Sequence, residues 1–508
     1  MAEERGELDW LHGRRVLVAG AGISGRATIE PLNDLGAFVT VTDSDVHALA
    51  ACARIGATTV PLDNLLPDRG RIAEFALVVA SPGFRPDAPL LSLAAREAVP
   101  VWGDIELSWR VDRAGLYGRP RRWLVVTGTN GKTTTTSMLH AILEAAGLPS
   151  LACGNIGLPV LDALRKTTPR AEVLAVELSS FQLHWTQSVR PTAGVILNIA
   201  EDHLDWHGGM QAYIDAKSRA LSGEVAVLGL DDAVASSLFS SSPAPRTLGF
   251  RLGVPASGEL GVEDGYLLDR AFADGERLAP AEGIIPPGPA GLMDALAAAA
   301  LARAVGVTSD AVADGLATHV VGPHRAESVA VVGGVTFVDD SKATNPHAAR
   351  SSILAHERVV WIAGGLLKGA RVDDLVQEVA GRLSGAVLLG LDAVQIAESL
   401  SRHAPEVPVV GVETGDDTGV IEVPRARGAQ NWTQTAALRV VLPPDTDGDA
   451  LMGVVVREAA AMAAAGDAVV LAPAAASLDM FDNYGHRGRS FADAVGALDE
   501  SDISRKLR

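Results

Sequence analysis

An apolar run, Trp123-Leu-Val-Val-Thr127, stops at Gly128-Thr-Asn-Gly-Lys-Thr-Thr134 and gives way to a helix-like stretch that ends near Gly147. Few patterns constrain a fold more. The strand has to deliver the loop to one end of a sheet, and the helix has to start at once and pack back on that sheet. Backbone N–H groups of such a loop face an anion together with the helix N-terminus. Lys132 then reaches the terminal phosphates of a nucleotide, and Thr133 can hold Mg²⁺. The usual pattern has four residues between its two glycines, whereas Thr129 and Asn130 alone separate Gly128 from Gly131. The loop is a shortened variant, with Gly128, Thr129, Asn130, Gly131, Lys132, Thr133 and Thr134 as candidate nucleotide contacts.

Around this loop the 508 residues read as three αβ blocks. The first, 1–119, opens with the strand Arg15-Val-Leu-Val-Ala-Gly20, and Gly20-Ala-Gly-Ile-Ser-Gly25 leads into a helix. A second strand, Phe38–Thr42, ends on Asp43. Glycine turn, helix and strand-end acid fit a dinucleotide-binding fingerprint and predict a parallel, doubly wound sheet. The second block, 120–321, starts within the basic turn Gly118-Arg-Pro-Arg-Arg122, near which the first closes. The third, 322–508, begins at the hinge-like Gly322-Pro323 and has strands at Thr336–Asp340, Val359–Ala363, Ala386–Leu389 and Ala468–Ala472. A polar, Gly/Asp/Thr-rich stretch at about 411–449 breaks the αβ rhythm and reads as an insertion, a mobile loop. The expected fold class is α/β in three domains: a Rossmann-like N-terminal domain, a central P-loop ATPase-like domain and a C-terminal Rossmann-like domain.

Composition excludes several functions. A formal net charge of −19 speaks against nucleic-acid binding, which needs a basic surface to displace counterions. Any anionic ligand must therefore be met by local cations. Of the 43 basic residues only six are lysine: Lys132, Lys166, Lys217, Lys342, Lys368 and Lys506. Where any positive charge would serve, arginine is used. The lysines are enriched for positions needing a compact ammonium or an amine that can lose its proton. The Ala-rich run Gly291–Val307 is interrupted by Asp294 and Arg303, so it reads as a buried helix and no membrane span is expected. The two cysteines, Cys52 and Cys153, suggest no disulfide framework, and the acidic start lacks a secretory pattern. A cytoplasmic protein is expected.

Further motifs accompany the loop. Glu177 ends the strand Val173-Leu-Ala-Val-Glu, where a carboxylate can hold Mg²⁺; alone it reads equally as an ordinary strand-end acid. With Thr127–Thr133, Gly154-Asn-Ile-Gly157, Glu177-Leu-Ser-Ser-Phe-Gln182 and Asn198-Ile-Ala-Glu-Asp-His-Leu-Asp205 come His324-Arg325, Asp339-Asp-Ser-Lys-Ala-Thr-Asn345 and Ala476-Ser-Leu-Asp-Met-Phe-Asp-Asn-Tyr484. This ordered set, spanning nearly the whole chain, resembles the Mur ligase family, and within it the branch that adds D-glutamate.

The resemblance implies ATP-dependent joining of D-glutamate to UDP-N-acetylmuramoyl-L-alanine through an acyl phosphate. It implies two Mg²⁺ sites held by Thr133, Glu177, His203 and a carbamylated Lys217, with Lys132 and Asn155 at the phosphates. Carbamylation requires a neutral amine, so the Lys217 pKa must lie far below the free value of about 10.4. The alternatives for His203 and Lys217 are a structural histidine and a solvated helix lysine. His324, Arg325, Asp340 and Asp294 would serve ATP. Ile23, Ser24, Asp43, Ser44, Ser81, Gly83, Asn155, Ser179 and Ser180 would serve the UDP substrate. Lys342, Thr344, Lys368, Ser477 and Tyr484 would serve D-glutamate. No NAD and a monomer are expected.

Two departures stand out. The family's Gly-x-His-Asn-x-x-Asn-Ala segment is Gly288-Pro-Ala-Gly-Leu-Met-Asp-Ala295 here. Asp294 replaces the second Asn, and as a carboxylate it would accept but not donate. Gly364-Gly-Leu-Leu-Lys368 also lacks an acid before its lysine. Competing readings are another Mur-type or folylpolyglutamate-type ligase, a nicotinamide-dependent oxidoreductase resting on Gly20–Gly25, and a nucleotide-gated regulator.

Overall fold

The structure, a computed structural model, describes residues 6–66, 69–415, 419–422 and 438–504. It divides into two compact units, Met1–Ile284 with Gly291–His319, and Ile285–Ala290 with Val320–Arg508.

The first unit holds two sheets. One is built from β1 (Arg15–Ala19), β2 (Phe38–Asp43), β3 (Thr58–Pro61), β4 (Leu77–Ala80) and β5 (Val101–Gly103), ordered β3-β2-β1-β4-β5 and parallel throughout. Strands of a parallel sheet are covered on both faces, which is why Val16-Leu-Val18 and Leu77-Val-Val79 are unbroken apolar runs and are buried. The helix Ile23–Asp34 follows β1 directly.

The other sheet contains β6 (Arg122–Thr127), β7 (Ser150–Gly154), β8 (Val173–Glu177), β9 (Ala193–Ile196), β10 (Val225–Gly229), β11 (Arg246–Phe250), β12 (Glu259–Glu263), β13 (Tyr266–Asp269) and β14 (Glu276–Pro280). Their order is β14-β13-β12-β11-β10-β9-β6-β8-β7, antiparallel only in the β12–β13–β14 tail. β6 lies between β9 and β8, where the strand order reverses. Its carboxyl end is thus the crevice in which open α/β sheets bind ligands. The Ala-rich run is the helix Pro289–Ala304, buried from Asp294 to Ala302. No helix among the described residues is long and apolar enough to cross a membrane.

The second unit holds β15 (Glu327–Val332), β16 (Val335–Asp339), β17 (Val359–Gly364), β18 (Leu383–Leu389), β19 (Val409–Thr414), β20 (Gly419–Glu422), β21 (Leu438–Leu442) and β22 (Ala468–Leu471), ordered β15-β16-β22-β17-β18-β19-β21-β20. The stretch at 411–449, expected as an inserted loop, supplies the end of β19, the strand β21 beside it and the edge strand β20. Both β20 and β21 are short apolar runs, Gly419-Val-Ile-Glu422 and Leu438-Arg-Val-Val-Leu442, and the Gly/Asp/Thr-rich residues around them made the stretch look like a loop. Residues 416–418 and 423–437 of that stretch lie outside the described residues.

A buried ion pair fixes β6 to the helix Asp104–Arg113. Asp112 takes the Arg121 guanidinium at 2.9 Å, the Arg121 N–H at 3.0 Å and the Trp123 indole N–H at 3.0 Å, and all three side chains are buried. Asp112→Ala strands a buried guanidinium and is expected to cost about 3–5 kcal/mol. Chemical denaturation followed by tryptophan fluorescence should show a lower midpoint; an unchanged midpoint would refute the role assigned to this pair.

Candidate active site

β6 ends at Thr127, and the chain turns through Gly128–Gly131 into the helix Lys132–Ala145. Gly131 has φ +83°, and a Cβ there would run into Asp294 Oδ1, so both conformation and space demand glycine. The loop is held from the end of β9. Asn198 Oδ1 accepts from Asn130 N–H at 2.9 Å, Asn198 Nδ2 donates to Asn130 O at 3.2 Å, and Thr129 N–H donates to Asn198 O. Thr129 Oγ1 also lies 3.0 Å from the Tyr213 hydroxyl.

Two lysines converge on one carbonyl. Lys132 Nζ donates to Gly128 O at 3.0 Å and Thr129 O at 2.8 Å. Lys217 Nζ reaches the same Gly128 O at 2.7 Å from the helix Met210–Ser218, with its side chain 1% exposed and its amine 4.7 Å above the Tyr213 ring. Burial depresses the Lys217 amine well below the usual ammonium range, and the Lys132 charge pushes it further, against the pull of Asp202 and Glu177. Burial lowers Lys132 too, opposed by Glu177, Asp202 and Asp294.

Glu177 is buried at the end of β8. Its Oε1 accepts from Asn155 Nδ2 at 2.8 Å, while its buried Oε2 has no hydrogen-bond partner. A buried carboxylate oxygen left without a hydrogen-bond partner is what a cation site needs, so Glu177 fits a divalent metal. His203, in a left-handed conformation, lies 3.5 Å from Asp202 and packs against Phe181. His203 and Glu177 do not close a compact cluster: among the described residues, the three His and acid ligand atoms that gather within 4.8 Å are those of His324, Glu327 and Asp339. Behind His203 and Lys217 lie Phe181, Trp206, His184, His207 and Tyr213. This aromatic pad leaves both His207 nitrogens buried without a partner and pushes its pKa down to about 4.

Asp294 corrects the sequence reading. It accepts from Thr135 Oγ1 at 3.0 Å, and burial pushes its carboxyl up to about 8, against the pull of the Thr135 hydroxyl and Lys132. At neutral pH it holds its proton and can donate, as an asparagine amide would.

A cavity of about 970 Å³ opens at the carboxyl end of β1. Ile23, Ser24, Asp43, Ser81, Gly83 and Asn155, six of the residues expected to serve the UDP substrate, line it. Ser44, Ser179 and Ser180 do not. Ser179 instead caps the helix Ser180–His184 in a reciprocal pair with Gln182, and Ser180 is buried. The sequence reading missed Gln182 and Arg85, which also line the cavity, and Asp104, which accepts from Gln182 Nε2 at 3.3 Å.

In the second unit His324 Nδ1 meets Asp339 Oδ2 at 2.6 Å, and Gly488 packs so closely that a Cβ would overlap the imidazole. Asp340 follows, its carboxyl pushed up to about 6 by burial. Arg325 donates to Pro323 O at 3.4 Å. Lys342 and Thr344 share a tight turn, closed by Thr344 N–H to Lys342 O, and the Lys342 amine sits 4.1 Å over the Tyr484 ring. Leu366 pairs with Ala476 through two 2.9 Å backbone bonds, which sets the exposed Lys368 beside the loop of buried Ser477. Lys342, Thr344, Lys368 and Ser477 thus sit on loops of one unit, and Tyr484 opens a helix of the same unit.

Comparison with known proteins bears on this site. The family described as Mur ligase middle domain matches residues 126–251. A UDP-N-acetylmuramoylalanine–D-glutamate ligase of Rhodococcus jostii (strain RHA1) is 82% identical over 508 residues, covering 100% of both chains. One of Nocardia farcinica (strain IFM 10152) is 61% identical over 502 residues, 98% of this chain and 100% of that one. A solved UDP-N-acetylmuramate–alanine ligase from Thermotoga maritima has a TM-score of 0.53 at 15% identity, over 95% of this chain and 99% of that one.

Between about pH 4 and 8 the folded state keeps a proton on Asp294 that the unfolded chain releases, so wild-type stability falls as pH rises through this window. Asp294→Asn has no proton to hold. Its melting temperature should gain on wild type from pH 5 to pH 8 and level off above; curves that stay parallel would contradict the protonated carboxyl.

Proposed function

The chain belongs to the Mur ligase family, and on that premise we propose that it joins D-glutamate to UDP-N-acetylmuramoyl-L-alanine at the expense of ATP, in peptidoglycan precursor synthesis. The observation that carries the reading is the pair of lysines on the Gly128 carbonyl beside the open Oε2 of Glu177.

The chemistry follows from the substrates. A carboxylate is a poor electrophile, so its oxygen first attacks the γ-phosphorus of ATP and ADP leaves. The resulting acyl phosphate is then attacked by the D-glutamate amine, which forms the amide and expels phosphate. The first step brings two anions together in a chain of net charge −19, so local cations decide its rate. Gly128–Thr134 cradle the phosphates through backbone N–H groups, and Lys132 swings from its loop carbonyls to the terminal phosphate. Asn155 orients the incoming carboxylate and, through Glu177 Oε1, the metal-holding acid.

Thr133, Glu177, His203 and Lys217 would hold Mg²⁺ in two sites, where it would supply neutralisation of the reacting anions. The depressed amine of Lys217 is suited to carbamylation: its lone pair adds to the carbon of CO₂, a proton leaves, and a cation becomes an anionic oxygen ligand. The cavity at β1 takes the UDP moiety through Ile23, Ser24, Asp43, Ser81 and Gly83. Lys342, Thr344, Lys368, Ser477 and Tyr484 hold D-glutamate, while His324, Arg325, Asp340 and the protonated Asp294 serve ATP. The protein acts as a monomer in the cytoplasm and needs no NAD.

Phosphate release from ATP should require UDP-N-acetylmuramoyl-L-alanine and D-glutamate together. Equal turnover with diaminopimelate or L-lysine in place of D-glutamate would overturn the choice of amino acid. Lys132→Ala should lose about 10²–10³ in kcat. Lys217→Ala should be nearly inactive and regain part of its rate with added short-chain carboxylates, which restore an anionic oxygen where the carbamate stood. Absence of rescue in a folded variant that still binds ATP would count against carbamylation.

A further inference from the structure

Arg487, on the helix Tyr484–Gly496, is 1% exposed, and it is the largest charged side chain so fully buried. Its guanidinium bonds to no carboxylate among the described residues. Nε donates to Ser341 Oγ at 2.9 Å, Nη2 to Ser341 O at 2.9 Å and to Ala475 O at 3.2 Å, and Nη1 to Ala475 O at 3.2 Å. The acids whose fields reach it, Asp479 and Asp339, offset part of its charge without bonding to it, and the buried Oδ1 of Asp479 has no hydrogen-bond partner. Asp339 holds the Ser341 N–H and the His324 ring, and Asp479 Oδ2 accepts from Leu391 N–H at 3.0 Å. Burial lowers the guanidinium to about 10, so it stays charged at neutral pH.

A buried charge is costly unless a counter-charge meets it, and carbonyl dipoles offset that cost only in part. The four bonds also tie three segments together. Ser341 precedes Lys342 and passes its own hydroxyl proton to Tyr484 O at 2.8 Å, Ala475 lies two residues before Ser477, and Tyr484 begins the helix that carries Arg487.

We propose that Arg487 is the positioning residue of the amino-acid site: it fastens the loops of Lys342, Thr344 and Ser477 in register, and its charge, only partly offset by Asp339 and Asp479, favours the two carboxylates of the incoming D-glutamate. The inference rests on the D-glutamate reading. It assigns Arg487 no contact with the substrate; the guanidinium acts through the loops and through its field, which low dielectric screens weakly.

The test compares Arg487→Met, Arg487→Lys and Ser341→Ala in the phosphate-release assay, with KM measured for each substrate in turn. Arg487→Met should raise KM for D-glutamate about tenfold or more, with KM for ATP and for UDP-N-acetylmuramoyl-L-alanine within about twofold of wild type. Arg487→Lys keeps the charge but loses the fork, and should fall between wild type and Arg487→Met. Ser341→Ala, which keeps the charge and loosens one loop, should also raise KM for D-glutamate alone. If Arg487→Met does not fold, the other two variants decide. An unchanged KM for D-glutamate, or a parallel rise in all three KM values, overturns the proposal. A wild-type enzyme that releases no phosphate in response to D-glutamate would instead sink the underlying functional reading.

Discussion

Two primary amines donating to a single carbonyl is an arrangement that a protein holds only under constraint. Lys132 and Lys217 both point at Gly128 O, one from the helix the phosphate loop opens and the other from a helix more than eighty residues later. Like charges so close repel, and burial adds to the penalty of keeping both ionised. The relief available is loss of a proton, and Lys217, the more buried of the two, is the one driven well below its ordinary range. Much of the site serves this contact. Asn198 and Tyr213 fix the loop that presents the carbonyl, the aromatic pad walls off the helix of Lys217, and Glu177 and Asp202 supply the opposing field.

The same logic recurs wherever the chain must handle an anion. Its overall charge repels phosphates and carboxylates, so attraction has to be local and strong, and a dry surrounding makes each cation count for more. Arginine builds the framework, as Arg121 on Asp112 and Arg303 on Asp269 do in buried pairs. Lysine stands at the sites expected to do chemistry, where a compact amine can move or lose its proton. Arg487 combines the two uses, being framework by its hydrogen bonds and a buried charge that no carboxylate among the described residues bonds.

What could be read from the sequence was whatever short-range pattern determines. The strand before Gly128, the glycine turn after β1 and the acid closing β8 are each set by a few neighbouring residues, so they appear at the positions read from the sequence. Contacts that bridge long separations stayed hidden. Asp294 meets Thr135 across 159 positions and Arg487 meets Ser341 across 146, and no periodicity marks either. Ser179 and Ser180 lie outside the cavity's lining, and beside Gln182 they form a helix start that is satisfied locally. The strands at 419–422 and 438–442 escaped because they are short runs of four and five residues set in a stretch rich in turn-forming residues.

Asp294 is the instructive case, because the chemistry inferred from its letter was reversed by its surroundings. As a free carboxylate it would add a negative charge beside the phosphate loop and oppose nucleotide binding. Buried against Gly131 and Thr135, it meets the opposite balance: ionising there costs more than keeping the proton. A neutral carboxyl has the size of an asparagine amide and one of its donors, so the replacement preserves much of the hydrogen-bonding character that the family pattern supplies at that position. The field of Lys132 sets the limit of this equivalence. It favours the ionised form, and any rearrangement that brings the ammonium nearer would draw the carboxyl toward the charge that burial now suppresses. Identity and protonation state are thus separate properties of the site, and the second is decided by packing that the sequence does not display.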